Sequence, residues 1–244
     1  MSVFAFGGRP DHCMTGAPLP PVWETCLQPV FLFDGPDDAE VTVLLAHGAG
    51  APMDSASMTA ATAALAAAGM RVARFEFGYM AARRESSSRK PPPKAELLIP
   101  EYRRAVSALP VKGKLIIGGK SMGGRVASMV ADPLYAEGVI AGLVCLGYPF
   151  HPPGKPAQLR TAHLESLKTP ALIIQGTRDE FGTRDEVGAY ALSPSISLLW
   201  LEDGDHDLKP RKSVSGYTAA QHLARMAQEI RDWTRRLLPG KPDR

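Results

Sequence analysis

The chain is short of cysteine, of aromatic side chains and of long apolar runs, and each shortage excludes something. Its three cysteines, Cys13, Cys26 and Cys145, are an odd number with no CxxC pair and no His-x-His cluster beside them. That argues against a disulfide framework or a structural zinc site, and for a reducing, cytoplasmic setting with neither metal nor cofactor. The longest weakly polar stretches, Ala60–Met70 and Val139–Phe150, fall well short of the ~20 residues a bilayer demands, so no membrane span is expected. The opening MSVFAFGGRPDHC has no basic start followed by an apolar core, so no signal peptide is expected. Charge of one sign is also lacking. Lys and Arg number 28 against 25 Asp and Glu, a net charge of +3, too balanced to make nucleic acid or an anionic membrane the main partner.

What is present is an ordinary globular composition, 45% hydrophobic and 22% charged over 244 residues, enough to bury a large core. Residues 1–21 are Gly- and Pro-rich without a period and read as an irregular N-terminal arm; 22–244 read as one α/β domain. Strands are expected within 22–33 and at Val41–Ala46, Arg71–Phe77, Leu115–Ile117, Val139–Leu146, Ala171–Gln175 and Ile196–Leu201. Helices are expected over Ser55–Gly69, Lys94–Leu109 with Pro100 at a kink or in a first turn, 122–131, 184–192 and Tyr217–Leu238. Residues 83–93, RRESSSRKPPP, read as a basic solvent loop, and 147–169 as a Pro-rich loop. Strands alternating with helices predict a mostly parallel sheet with helices on both faces, and in such sheets ligands bind at the carboxyl ends of the strands.

The residues that follow strands carry the chemistry. Gly119-Lys120-Ser121-Met122-Gly123 fits G-x-S-x-G between a strand and a helix. The chain must reverse in very few residues there, which strains Ser121. Glycine two positions to either side removes the Cβ atoms that would collide. The serine hydroxyl is thereby raised over the sheet, and the Met122 N–H faces the same spot at a helix N-terminus, placed to hold an oxyanion. A phosphate-binding reading of the same residues fails on register, since G-x-x-x-x-G-K-[ST] needs glycine at position 114 and Lys114 is there. A Gly-rich turn, His47-Gly48-Ala49-Gly50, follows an earlier strand and offers the Ala49 N–H as the second oxyanion donor; His47 reads as a brace of its loop rather than a base.

The acid is expected just past the strand ending at Gln175. TRDEFG at 177–182 is nearly repeated as TRDEVG at 183–188, so Asp179 and Asp185 compete. Thr183-x-x-Glu186 reads as a capping box that leaves Asp185 on a helix start, which favours Asp179. The base is expected in Glu202-Asp203-Gly204-Asp205-His206-Asp207, after the last strand. A calcium-loop reading of this segment would want glycine at position 208 and glutamate at 214, where Leu208 and Val214 stand. The remaining histidines, His12, His151, His163 and His222, have no such placement.

Ser121, Asp179 and His206 follow one another in the chain order of an α/β-hydrolase. Together with the phrases LLAHGAG, RFEFGYM, GGKSMGGRVAS, LIIQGTRDEFG and LEDGDHDLKP, they make residues 40–238 resemble the α/β-hydrolase superfamily. More narrowly, the chain is similar to small lidless dienelactone-hydrolase-like proteins, a group of bacterial predicted hydrolases with relatives among eukaryotic chromatin-complex subunits. Dienelactone hydrolases proper use a cysteine nucleophile where this chain has Ser121, so the resemblance does not carry their substrate over to this chain.

The resemblance implies a Ser-His-Asp triad acting on a small ester or thioester through an acyl-Ser121, in a monomer or homodimer. Loop 147–169 is too short to be a lid domain, so an open site is expected, with Tyr79, Met80, Tyr148, Phe150 and Phe181 as candidate walls. Two other readings use the same fold: an acyltransferase with the same triad, and a non-catalytic interaction module using the basic loop.

Overall fold

A computed structural model describes residues 28–85 and 91–237. The expected arm at 1–21, Cys13, Cys26, the start of the 22–33 region, the centre of the basic loop and Leu238 lie outside the described residues.

Seven strands form one sheet: β1 (Phe31–Asp34), β2 (Val41–Ala46), β3 (Arg71–Phe75), β4 (Lys114–Lys120), β5 (Gly142–Leu146), β6 (Ala171–Gly176) and β7 (Ile196–Leu201), in the order β1-β3-β2-β4-β5-β6-β7. Only β1 runs antiparallel, as the edge partner of β3; the other six are parallel. VTVLLA in β2 and ALIIQG in β6 are buried along their whole length, as expected of strands covered on both faces. From β2 the chain first steps outward to β3 and then returns past β2 to β4. The carboxyl ends of β2 and β4 therefore flank the point where the winding reverses, with Ala46 opposite Gly119.

Helices cover both faces. One layer holds α1 (Ala56–Ala67) and α7 (Ala219–Leu237), whose Met58, Leu65, Met226, Ile230 and Trp233 pack with Val43, Leu45, Ile116 and Ile174. The other holds α3 (Ile99–Ala108) and α4 (Met122–Ala136), whose Tyr102, Val106, Val126 and Val130 pack with Leu44, Ile117 and Ile173. Ser55 and Gly69 bracket α1: Ser55 stands at the N-cap position but makes no side-chain capping bond, and Gly69 takes φ 88° just past the C-cap. Pro100 lies in the first turn of α3, preceded by a 3-10 turn at Ala95–Leu98.

Several boundaries differ from expectation. Helix α2 (Gly78–Glu85) absorbs the start of the expected basic loop; it is short, buries only Tyr79 and Met80, and carries too little periodic signal to read from sequence. β3 stops at Phe75, because the Phe77 N–H turns away to donate to His47 Nε2. Helix α4 runs on to Ala136 through Pro133, because Leu134 continues its buried face. β5 starts at Gly142 instead of Val139, where residues 138–140 still bond back to the end of α4. Helix α5 (Arg184–Gly188) ends at Gly188, four residues early, and a short α6 (Lys212–Ser215) precedes α7. Between β5 and β6 there is only the 3-10 turn Ala162–Leu164 and no lid domain.

One buried contact ties the α3 layer to β4 just ahead of the turn at Ser121. Tyr102 is fully buried; its hydroxyl donates to Gly118 O at 2.7 Å and accepts the Gly118 N–H at 2.9 Å. Tyr102→Phe would leave both backbone groups of Gly118 without this partner. It is expected to lower unfolding stability by about 1–3 kcal/mol, read as an earlier urea midpoint with an unchanged slope.

Candidate active site

The turn after β4 is as tight as its glycines suggest. Ser121 stands in the left-handed region at φ 51° and opens α4 as its N-cap. A Cβ on Gly119 would lie 2.5 Å from the Gly123 carbonyl carbon and 2.6 Å from Ala46 O; one on Gly123 would lie 2.4 Å from Ala46 O. No side chain fits at either place. The Ser121 N–H donates to Leu146 O at 3.0 Å and its carbonyl accepts the Arg125 N–H, so the strained residue is anchored to β5 and to the first turn of α4.

His206, Asp179 and Ser121 meet in one chain of contacts. His206 Nε2 lies 2.8 Å from Ser121 Oγ, and His206 Nδ1 lies 2.9 Å from Asp179 Oδ2. Asp179 is wholly buried. Its carboxylate accepts the Phe181 N–H and the Gln175 side-chain amide, each at 2.9 Å. Facing the buried carboxylate, Nδ1 carries the proton, which leaves the Nε2 lone pair toward the serine hydroxyl. Phe181 stacks on the imidazole with ring centroids 4.1 Å apart. Asp185 stands exposed in the first turn of α5, behind the Thr183–Glu186 capping box.

The loop after β2 is braced from below. His47 is buried, accepts the Phe77 N–H at Nε2 and bonds Gly48 O through Nδ1 at 2.7 Å. Since Nε2 accepts, Nδ1 is the donor and the ring is neutral; burial holds its pKa below the usual histidine value of 6.5. Tyr79 adds a hydroxyl bond to Ala49 O at 3.1 Å. The Gly48 carbonyl and the Ala49 N–H belong to one planar trans peptide and point opposite ways. With the carbonyl fixed on His47, the Ala49 N–H faces away from it, in a loop whose Gly48 borders Ser121: a Cβ there would lie 3.6 Å from the serine Cβ.

A depression of about 470 Å³ opens beside the imidazole, lined by Arg178, Glu180, Phe181, Asp205, His206 and Asp207. Of the five side chains expected as walls, Phe181 lines it. Tyr148 and Phe150 have no exposed surface, Tyr79 and Met80 are buried, and all four belong to the core between the sheet and the α3/α4 layer. Their aromatic and sulfur bulk completes the interior and leaves the rim to charged residues. Asp205, which a calcium-loop reading would use, spends its Oδ1 on the N–H groups of Asp207 and Lys209 and shapes the turn.

Gln175 escaped the sequence reading. It ends the apolar run of β6, and its amide ties Asp179 to the Tyr148 backbone, accepting the Tyr148 N–H at 2.7 Å. A lone amide in an otherwise apolar buried strand was its only signal. A second serine–histidine contact joins Ser128 Oγ and His163 Nε2 at 2.8 Å. Ser128 has one hydroxyl proton and directs it to Arg125 O at 2.7 Å, so His163 is the donor in this pair. That is the wrong polarity for a base on Ser128, and among the described residues no carboxylate bonds His163.

Fold and turn together define an α/β hydrolase without a lid domain. The chain matches the alpha/beta hydrolase domain family over residues 39–235 and belongs to it. Among solved structures, Est1E from Butyrivibrio proteoclasticus aligns at a TM-score of 0.61 and 13% identity, over 85% of this chain and 93% of that one. Dienelactone hydrolase from Anabaena variabilis aligns at 0.60 and 20%, over 87% and 100%. XC6422 from Xanthomonas campestris, described as an α/β serine hydrolase without a lid, aligns at 0.57 and 19%, over 93% and 100%. At these identities the likeness is one of fold.

The neutral His47 has a pH consequence. Its pKa is lower folded than unfolded, so at mildly acidic pH the unfolded chain binds the extra proton, and stability is lost as pH falls below the unfolded value of 6.5. The dependence of unfolding free energy on pH between about pH 7 and pH 5 is expected to be shallower in His47→Asn than in wild type.

Proposed function

We propose that this protein is a serine hydrolase that cleaves a small ester or thioester through an acyl-Ser121 intermediate. The observation that carries this reading is the unbroken contact from Ser121 Oγ through the imidazole of His206 to the buried carboxylate of Asp179, at 2.8 and 2.9 Å.

Ser121 Oγ attacks the carbonyl carbon as its proton passes to His206 Nε2. Asp179 holds the ring in the productive tautomer and stabilises the imidazolium that forms. The N–H groups of Met122 and Ala49 receive the oxyanion, Met122 from the first turn of α4 and Ala49 from the peptide whose carbonyl His47 fixes. When the tetrahedral intermediate collapses, the carbon–oxygen or carbon–sulfur bond breaks and the leaving atom takes the proton from His206. Water then repeats the sequence, giving up a proton to His206 and releasing the acid and free Ser121. The depression at His206 is uncovered by any lid, which suits small substrates. Esters and thioesters are favoured over amides by the reactivity of their leaving groups alone.

Treatment with a fluorophosphonate, followed by intact-mass analysis and peptide mapping, is expected to place one adduct on Ser121 and none on the Ser121→Ala protein. Hydrolysis of short activated esters is expected to fall by about 10³–10⁴-fold or more in Ser121→Ala and in His206→Ala. Folded wild-type protein that takes up no probe would refute the reading, and an adduct on Ser128 would move the chemistry to the other serine–histidine pair.

A further inference from the structure

The G-x-S-x-G turn constrains Ser121 and its two glycines but asks nothing of the side chain at position 120, so the lysine there needs another explanation. Lys120 closes β4, opposite Leu146 in the parallel ladder, and its backbone is fixed by the sheet. Its ammonium reaches across the strand end, donating to the His206 carbonyl at 3.1 Å and pairing with Asp207 at 2.8 Å, with the side chain only 15% exposed. The turn it grips contains two strained residues. Asp203 and Leu208 both stand in the left-handed region, at φ 56° and 63°, a conformation that persists only where the surroundings hold it.

The far side of that turn is held by Arg178, the residue before Asp179. Its Nε donates to Asp203 O at 2.8 Å, and its guanidinium also donates to Lys209 O at 3.2 Å. The chain neighbour of Ser121 and the chain neighbour of Asp179 thus each grip the segment that carries His206.

We propose that Lys120 is a positioning residue, which sets the height of His206 above Ser121 by holding the His206 carbonyl and which, as an ion pair with Asp207, balances the charge beside the imidazole. The proposal rests on the reading of Ser121 as the nucleophile. The groups that face His206 are Ser121 at Nε2, Asp179 at Nδ1, Phe181 over the ring and Lys120 at the carbonyl, with Glu180, Arg178, Asp205 and Asp207 around the depression and Lys209 a further 3.4 Å partner of Asp207. Burial pushes the Asp207 carboxyl up, but the Lys120 and Lys209 ammonium groups together outweigh it and hold the group below the usual carboxylate range, so Asp207 is a carboxylate near neutral pH. Removing the cation leaves a net negative charge beside the ring and favours the imidazolium; removing the anion does the reverse.

The test measures kcat, KM and the rate of Ser121 phosphonylation against pH, with p-nitrophenyl acetate and a fluorophosphonate, in wild type, Lys120→Met, Lys120→Arg and Asp207→Asn. Lys120→Met is expected to lower kcat about 10- to 100-fold with KM changed by less than about twofold. Its acid limb is expected to move about half a pH unit upward, and that of Asp207→Asn downward by a similar amount. Lys120→Arg, which keeps charge and donors, is expected to recover most of the rate. Lys120→Met at wild-type kcat with an unmoved limb would overturn the proposal. So would limbs that move the same way in Lys120→Met and Asp207→Asn, or a loss that Lys120→Arg does not rescue, since either marks general loosening of the turn. If Lys120→Met fails to fold, Lys120→Arg and Asp207→Asn still decide it through the limb and the rate. A wild-type protein that is not phosphonylated at Ser121 removes the nucleophile reading and this one with it, whereas normal wild-type labelling beside an unaffected Lys120→Met removes this one alone.

Discussion

Ser121 is held at φ 51° in a turn with no room for a Cβ on either flanking glycine, and the arrangement around the site follows from that constraint. A left-handed serine costs about 1–3 kcal/mol, so it persists only where its surroundings over-determine it. Here they do. The Ser121 N–H is bound to β5 and its carbonyl to α4, and Tyr102 clamps the strand three residues earlier. The close approach of Gly123 to Ala46 sets the first turn of α4 directly against the end of β2. That contact brings the His47–Gly50 loop beside the serine.

The remaining groups arrive on strands that end at the same edge. Gly176 of β6 pairs with Leu201 of β7, so the loops that follow, carrying Asp179 and His206, leave the sheet side by side. Gln175 and the Phe181 N–H then fix the carboxylate, and Phe181 covers one face of the imidazole. Rigidity comes from the sheet; reach comes from loops of a few residues. A site of this kind needs little closure on its substrate, in keeping with the absence of a lid between β5 and β6.

Much of this was legible in the sequence because the signals were local. Gly119 and Gly123 announce a turn that only glycine allows, β2 announces itself as an unbroken apolar run, and Thr183 with Glu186 announces a capping box that the structure contains. What was not legible depends on partners distant in the chain. Gln175 looks like any strand-end amide until Tyr148 and Asp179 are placed around it. Lys120 looks like a free surface cation until the His206 turn, 86 residues later, comes to rest on it. Tyr79, Met80, Tyr148 and Phe150 have the composition of pocket walls, but a core and a pocket draw on the same residue types, and burial separates them only once the fold is known. Helix α2 was hidden because eight residues with two buried side chains carry no usable period.

The central claim is that Ser121, His206, Met122 and Ala49 act on one carbonyl at one point. The crystal structure of the fluorophosphonate-treated protein tests it most directly. The account predicts phosphorus bonded to Ser121 Oγ, with the phosphoryl oxygen accepting the N–H groups of both Met122 and Ala49 at about 3 Å. A phosphoryl oxygen turned away from these two groups, or an adduct on another serine, would contradict it.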